Sequence, residues 1–138
     1  MKKEIVKRLI EFAKKAQKNS YSPYSRYPVG ASVFAASGKI YSGCNVENLS
    51  FGLSICAERV AIFKAVSAGE KRIKAVCIVA NGATPCGACR QVIFEFADKD
   101  CEVICVDYHP LERKKERTTI VKLSKLLYKP FNPKGSGL

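Results

Sequence analysis

This sequence contains only one histidine and no long apolar run. The single histidine, His109, stands before a proline in an expected turn, which makes it a poor candidate for a metal ligand. No apolar stretch approaches the roughly 20 residues that a membrane-spanning helix needs. Residues 1–4 are followed by an amphipathic pattern, not by the apolar block of a signal peptide. These absences predict a cytoplasmic protein that has no membrane partner.

Acidic residues are also scarce. The chain carries 12 Asp and Glu against 24 Lys and Arg, which gives a formal net charge of +12. A basic balance of this size can indicate nucleic-acid binding. The charge is spread over the first helix and a late run that includes Arg113, Lys114, Lys115 and Arg117, and no nucleic-acid motif accompanies it. We therefore interpret it as a solvated basic surface and expect no nucleic-acid partner.

The seven cysteines do not form the even set that a disulfide framework would need. Because at least three of them are candidates for binding metal, the composition favours a reducing compartment. The length of 138 residues and the 47% hydrophobic fraction fit one soluble domain with its own core. We predict a single domain over residues 1–138.

Two short motifs carry the chemistry: Cys56-Ala57-Glu58, and PCGACR at residues 85–90. A zinc ion held by three protein ligands keeps a fourth position open, which water can fill. A carboxylate two residues from one ligand, and not itself a ligand, can move protons at that water. This combination is the signature of zinc nucleobase deaminases, here with cysteine as the first ligand.

Other interpretations of the cysteines remain open. A lone Cys-x-x-Cys can belong to a structural zinc site or to a redox pair. The possible fourth ligands of a structural site are Cys44, Cys77, Cys101 and Cys105. The presence of both motifs together favours the catalytic site.

Hydrophobic periodicity predicts an α/β protein. Helices are expected at 2–18, 56–68, 86–97 and 123–127, and strands at 29–36, 39–46, 72–80, 102–108 and 119–121. The second helix is apolar on more than one face and should be largely buried. Both metal motifs would begin helices, whose N-termini carry partial positive charge and therefore favour thiolate over thiol.

The sequence resembles the small homotetrameric cytidine deaminases over nearly its whole length. The matching blocks are YSPYSRYPVGA at 21–31, GCNVEN at 43–48, ICAER at 55–59, AIFKA at 61–65 and PCGACRQ at 85–91. The resemblance implies a three-layer α/β/α sandwich with a mixed five-stranded sheet and one zinc ion per chain. It also implies a homotetramer that hydrolyses cytidine and deoxycytidine in pyrimidine salvage.

Roles of single residues follow from the same resemblance. At the metal site, the resemblance implies that Cys56, Cys86 and Cys89 bind zinc and that Glu58 transfers protons. It also implies that Arg59 hydrogen-bonds the thiolates.

The resemblance also implies a set of substrate contacts. Asn45 and Glu47 bind the ribose 3′-hydroxyl, the backbone of Ala57 contacts the base, and an aromatic ring lies beside the nucleoside at Tyr27, where the family usually has Phe. Phe51 and Phe131 reach into a neighbouring subunit's site, although the tail at 126–131 departs from the family's usual Leu-Leu-Pro block.

Three other functions share part of the pattern. A blasticidin-type deaminase has the same zinc motifs, but Asn45, Glu47 and Asn48 favour a nucleoside. A polynucleotide deaminase usually carries histidine as its first ligand and insertions that grip the strand, and this chain has neither. In a zinc-stabilised RNA-binding module, Glu58 would be only a first-turn helix residue.

Overall fold

The computed structural model of the protein describes residues 1–112 and 115–133. Arg113 and Lys114 of the late basic run, and residues 134–138 of the expected domain, lie outside the described residues. The elements in chain order are α1 Lys3–Gln17, β1 Gly30–Ala35, β2 Ile40–Cys44, α2 Ala57–Ser67, β3 Ile73–Ala80, α3 Gly87–Phe96, β4 Ala97–Asp107 and β5 Arg117–Lys122. Two 3₁₀ turns, Phe51–Leu53 and Leu123–Lys125, follow β2 and β5.

The five strands form one mixed sheet in the order β2-β1-β3-β4-β5. Strands β3 and β4 are parallel and are joined by α3, whereas the other neighbouring pairs are antiparallel. The central strand β3 is buried at every position except Lys74. Its nearly continuous apolar sequence is what a strand covered on both faces requires.

The helices lie on both faces of this sheet. Helix α1 packs on one face, where Leu9 and Ala13 join Cys77 and Val79 in a buried cluster. Helices α2 and α3 cover the other face with a second cluster that includes Ile62, Ile93, Val33 and Ile78. The predicted three-layer α/β/α sandwich with a mixed five-stranded sheet is therefore confirmed.

Helix α1 approaches the sheet very closely at the start of β1. The helix buries Leu9, Ala13 and Gln17, which are spaced four residues apart and therefore lie on one face. A Cβ atom added to Gly30 would come within 2.0 Å of the carbonyl oxygen of Ala13, so only glycine permits this contact. Within the described ranges, no helix has the length and apolarity needed to cross a bilayer.

The structure corrects several predicted boundaries. Strand β4 begins at Ala97, directly after α3, instead of at residue 102. Ala97 pairs with Ile73, and Arg72 holds this corner by donating to the Ala97 carbonyl at 2.7 Å and to Asp98 Oδ1 at 2.9 Å. The expected strand at 119–121 is longer, Arg117–Lys122, and the expected last helix is only the 3₁₀ turn Leu123–Lys125.

Helix α2 is less buried than its apolar sequence predicts. Its inner face is fully enclosed, but the ring of Phe63 is 47% exposed. Apolar side chains that the core of one chain leaves uncovered are typical of surfaces that contact another protein.

Candidate active site

Two helix N-termini bring the three predicted zinc ligands together. Cys56 is the residue that caps α2, Cys86 caps α3, and Cys89 lies in the first turn of α3. Their Sγ atoms all lie within 4.8 Å of one another, and those of Cys56 and Cys86 are 3.9 Å apart. The prediction that both motifs begin helices is confirmed.

This cluster fits zinc. Tetrahedral thiolate ligation at a Zn–S distance of about 2.3 Å places neighbouring sulfur atoms about 3.8 Å apart, close to the spacing of Cys56 and Cys86. In the described part of the chain, the metal-binding cluster contains these three thiols and no fourth His, Cys, Asp or Glu. An open three-ligand site for one zinc ion per chain therefore fits better than a closed structural site.

The charges around the thiols also favour binding of a metal cation. Hydrogen bonding with Cys89, assisted by Arg59, lowers the pKa of Cys56 to about 5, so a thiolate forms readily there. The bond with Cys56 and burial raise the pKa of Cys89. A second thiolate beside the first thus needs a divalent cation to stabilise it. Arg59 Nη2 lies 3.4 Å from the Cys56 sulfur.

Glu58 is the carboxylate of the site. It lies in the first turn of α2 with only 3% of its surface exposed, and it lines a pocket beside Cys56 and Cys86. Burial raises its pKa to about 7, with a further contribution from the charge of Cys56. A carboxyl group with a pKa near neutrality can both accept and donate protons.

The pocket has a volume of about 340 Å³, which is in the range of small-molecule sites. Its walls bring together residues from the loop before β1, the end of β2, the starts of α2 and α3, and the end of β3. The predicted site residues that line it are Tyr27, Asn45, Glu47, Cys56, Ala57, Glu58 and Cys86.

Asn45 has most of its hydrogen-bonding capacity satisfied by the loop before β1. Its Oδ1 accepts from the hydroxyl of Ser20 and from the backbone N–H of Val29, and its Nδ2 donates to the carbonyl of Tyr27 at 2.8 Å. An amide nitrogen has two hydrogens, so one donor is left for a ligand. The residue thus shapes the pocket and can also contribute to binding.

Glu47 is held by the same loop. Its Oε1 accepts from the backbone N–H groups of Tyr24 and Ser25 at 2.9 and 3.1 Å, and its Oε2 accepts from the Ser25 hydroxyl. The Ser25 hydroxyl, and then the two amides, lower the pKa of Glu47 below its usual value. The side chain is therefore a fixed anion that can accept a further bond from a ligand hydroxyl.

Comparison with known proteins gives the same family as the motifs. Residues 3–105 match the family described as the cytidine and deoxycytidylate deaminase zinc-binding region. The chain belongs to this family. A cytidine deaminase of Sporosarcina psychrophila is 46% identical over 121 residues, which cover 86% of this chain and 87% of that protein.

Solved structures of deaminases have the same fold. A cytidine deaminase crystal structure from Burkholderia pseudomallei is 36% identical, with a TM-score of 0.79 over 95% of this chain and 100% of that chain. A Mycobacterium tuberculosis cytidine deaminase is 33% identical, with a TM-score of 0.77 over 92% of this chain and 97% of that chain. The family match ends at residue 105 and therefore includes both zinc motifs but not the C-terminal segment.

Phe51 and Phe131 do not line the deaminase pocket of their own chain. Phe51 is 72% exposed and lies in an adjoining groove with Tyr24, 5.6 Å between ring centroids. Phe131 is 77% exposed and is tied by its backbone to the side chain of Gln91 on α3. Both rings are free to meet a second copy of the chain.

Sequence reasoning assigned no role to Arg90, although it lies inside the second motif. Its guanidinium donates to the carbonyls of Pro85 and Leu126 at 2.8 and 2.7 Å, and to the Thr84 hydroxyl at 3.2 Å. Arg90 thereby fixes the segment that leads into Cys86 and attaches the C-terminal segment to it. Its place directly after a zinc ligand was the signal available in the sequence.

Proposed function

We propose that this protein hydrolyses cytidine and deoxycytidine to uridine and deoxyuridine with release of ammonia. The observation that carries the proposal is the buried carboxylate of Glu58, which lies beside a three-thiol cluster in a pocket that Asn45 and Glu47 also line. The named cytidine deaminases of similar sequence and fold support this substrate.

Cys56, Cys86 and Cys89 would hold the zinc ion, which when bound would supply activation of water at neutral pH. Glu58 accepts a proton from the attacking water and delivers it to ring nitrogen 3 of the base. The oxygen adds to carbon 4. Glu58 then moves the remaining proton of that water to the amino group, and the bond between carbon 4 and the amino nitrogen breaks to release ammonia. The near-neutral pKa of Glu58 suits a group that must accept and donate in one cycle.

Recognition of the nucleoside is assigned to the remaining pocket residues. Asn45 donates its second amide hydrogen to the ribose 3′-hydroxyl, and Glu47 accepts a bond from that hydroxyl. The backbone N–H of Ala57 lies in the first turn of α2, where helix donors lack partners within the helix. It can donate to the base, while the ring of Tyr27 lies alongside.

A homotetramer with shared active sites is part of the proposal. The uncovered apolar side chains Leu49, Phe51 and Leu53 lie in the segment after β2, and Phe63 lies on α2. Their exposure supports a surface that other copies cover, so that Phe51 and Phe131 close a neighbour's pocket. We place this enzyme in the cytoplasm, in the salvage of pyrimidine nucleosides.

An ultraviolet assay on protein of measured zinc content tests the function. The substrates are cytidine, deoxycytidine, cytosine, cytidine monophosphate, blasticidin and a single-stranded oligonucleotide. Cytidine and deoxycytidine should be deaminated far faster than the others. Turnover of blasticidin or the oligonucleotide without turnover of cytidine would refute the proposal in favour of the corresponding deaminase class.

A further inference from the structure

The side chain of Tyr27 lines the pocket and is hydrogen-bonded to the turn that follows β3. One wall of the pocket includes residues of the 21–29 loop, which hydrogen-bonds Asn45 and Glu47, and another includes Thr84 of the 81–84 turn that follows β3. The Tyr27 hydroxyl donates to the carbonyl of Asn81 at 2.7 Å and lies 3.4 Å from that of Gly82. A phenylalanine ring, usual at this position in the deaminases that the sequence resembles, has no hydroxyl to make this link.

On the loop side, Tyr27 is bonded to both sugar-recognition residues through its backbone. Its N–H donates to the Ser25 hydroxyl at 3.1 Å, and that hydroxyl in turn donates to the carboxylate of Glu47. Its carbonyl accepts from the amide of Asn45 at 2.8 Å. A displacement of Tyr27 would therefore move the groups that hold Asn45 and Glu47 in place.

The 81–84 turn is itself fixed and leads directly into the second zinc motif. Gly82 has a φ of 81°, a conformation that favours glycine, and its N–H donates to Asp107 Oδ1 at 2.6 Å. Thr84, which lines the pocket, is two residues from Cys86. The Tyr27 hydroxyl thus links the 21–29 loop to the segment that leads into Cys86, a predicted zinc ligand.

We propose that the hydrogen bond from the Tyr27 hydroxyl to the Asn81 carbonyl, here called the clasp, holds the 21–29 loop and the 81–84 turn in their binding geometry before substrate binds. Tyr27 is in this respect a positioning residue that acts through Glu47 and Asn45, and the inference rests on the proposed nucleoside deaminase function. Preorganisation of a site lowers the free-energy cost of binding. The clasp therefore contributes mainly to nucleoside affinity and little to the rate of the chemical step.

The hydroxyl is suited to remain a donor throughout the working pH range. Burial, and then the nearby carboxylates of Asp107 and Glu58, raise the pKa of Tyr27 above its usual value. It stays protonated and keeps its bond to Asn81 well above neutral pH.

Tyr27→Phe is the direct test, because it removes the hydroxyl and keeps the ring. The matched control is Tyr41→Phe, which removes a hydroxyl bond to Glu70 at 2.9 Å outside the pocket. We expect KM for cytidine to rise about two- to tenfold in Tyr27→Phe, as for loss of one neutral hydrogen bond, with kcat within about twofold of wild type. Tyr41→Phe should match wild type in both constants.

A double-mutant cycle with Glu47→Gln tests whether the clasp acts through the sugar-binding groups. If it does, the increase in KM for the double variant is smaller than the product of the two single increases. Independent, multiplicative effects would overturn the coupling, and an unchanged KM in Tyr27→Phe would overturn the clasp itself.

Hydrogen exchange in the absence of substrate gives a readout that does not depend on activity. Amides of residues 21–29 should exchange faster in Tyr27→Phe than in wild type or Tyr41→Phe. Equal exchange in all three proteins would overturn the clasp. A wild-type protein that does not deaminate cytidine would refute the proposed function, and the exchange comparison would still decide whether the hydroxyl holds the two walls.

Discussion

Arg59 Nη2 lies 3.4 Å from the sulfur of Cys56, which is three positions earlier on the same helix turn. The hydrogen bonds to Cys56 and Cys89 raise the pKa of Arg59, which is thus a permanent cation beside the thiols. Its buried Nε has no hydrogen-bond partner among the described residues. Three thiolates on a divalent ion would carry excess negative charge, which this guanidinium would offset.

Arg59→Gln should therefore weaken zinc binding. Loss of a partner that hydrogen-bonds a metal ligand typically reduces metal affinity by about 10- to 100-fold. Competition with a chromogenic chelator measures the change. Arg72→Gln, which removes a surface ion pair with Asp98, is the control and should retain wild-type zinc affinity. Equal affinity in Arg59→Gln and wild type would show that Arg59 has only a packing role.

Glu47→Gln should mainly impair binding of the sugar. The variant keeps the size of the side chain and removes the charge that strengthens its bond to the ribose hydroxyl. Charge-assisted hydrogen bonds contribute about 1.5–3 kcal/mol, so KM for cytidine should rise roughly 10- to 100-fold. For the same reason, free cytosine should be a far poorer substrate than cytidine for the wild-type protein.

Glu70→Gln is the matched control for this prediction. Glu70 also accepts hydroxyl hydrogen bonds, from Ser37 and Tyr41, but it does not line the pocket. Its substitution should leave KM unchanged. Equal turnover of cytosine and cytidine, or an unaltered KM in Glu47→Gln, would refute the assignment of Glu47 to the ribose.

The low pKa of Glu47 predicts a flat pH dependence of product binding. The Ser25 hydroxyl stabilises the carboxylate, so Glu47 loses its charge only as pH falls below the usual Glu range. Glu58 lines the same pocket and has a pKa of about 7, so the test uses Glu58→Gln, in which that titration is removed. Inhibition of this variant by uridine should be constant from neutrality to about pH 5 and weaken only at lower pH. Inhibition constants for uridine measured across this range test the direction of the Glu47 pKa shift. Inhibition that already weakens between about pH 7 and 6 would contradict a lowered pKa.

Because the aromatic ring of Phe51 is exposed in the single chain, we predict that its removal impairs assembly. Phe51→Ala should weaken the proposed tetramer and lower activity, because in that proposed assembly the same ring closes a neighbour's pocket. Sedimentation velocity and activity over a range of protein concentrations measure both effects. Leu111→Ala removes another exposed apolar side chain outside this segment and should change neither. A fully active wild-type monomer would contradict the shared site.

The zinc cluster and the layers of the fold could be predicted because their signals are local. Cys56 and Cys86 each stand at the start of an apolar helix, and β3 is apolar at every position except Lys74. These features depend on periodicity and on capping positions, which short stretches of sequence contain.

The hydrogen bonds that shape the pocket could not be predicted in the same way. Ser25 and Glu47 are 22 positions apart, and Arg90 and Leu126 are 36 apart. Such pairs depend on how loops meet after the sheet has formed. The early start of β4 was missed because the polar sequence after Ala97 lacks a strand pattern. Ala97 pairs with Ile73, but the register then shifts and the regular ladder with β3 resumes only at Glu102.

Cys86→Ala provides the reference for a test of Glu58. It removes a thiol from the cluster and should lose zinc and activity together. Loss of activity with full retention of zinc in Cys86→Ala would contradict the assigned ligand set. Metal analysis of wild-type protein should give one zinc per chain.

Steady-state kinetics and zinc content of Glu58→Gln decide whether the buried carboxylate transfers the protons. The variant keeps the size of the side chain, removes its acid–base function and leaves all three thiols in place. We expect near-wild-type zinc content. One acid–base group contributes roughly 10²–10⁴-fold to the rate, and kcat should fall by at least this factor. A zinc-loaded Glu58→Gln protein with more than about a tenth of wild-type kcat would contradict this role.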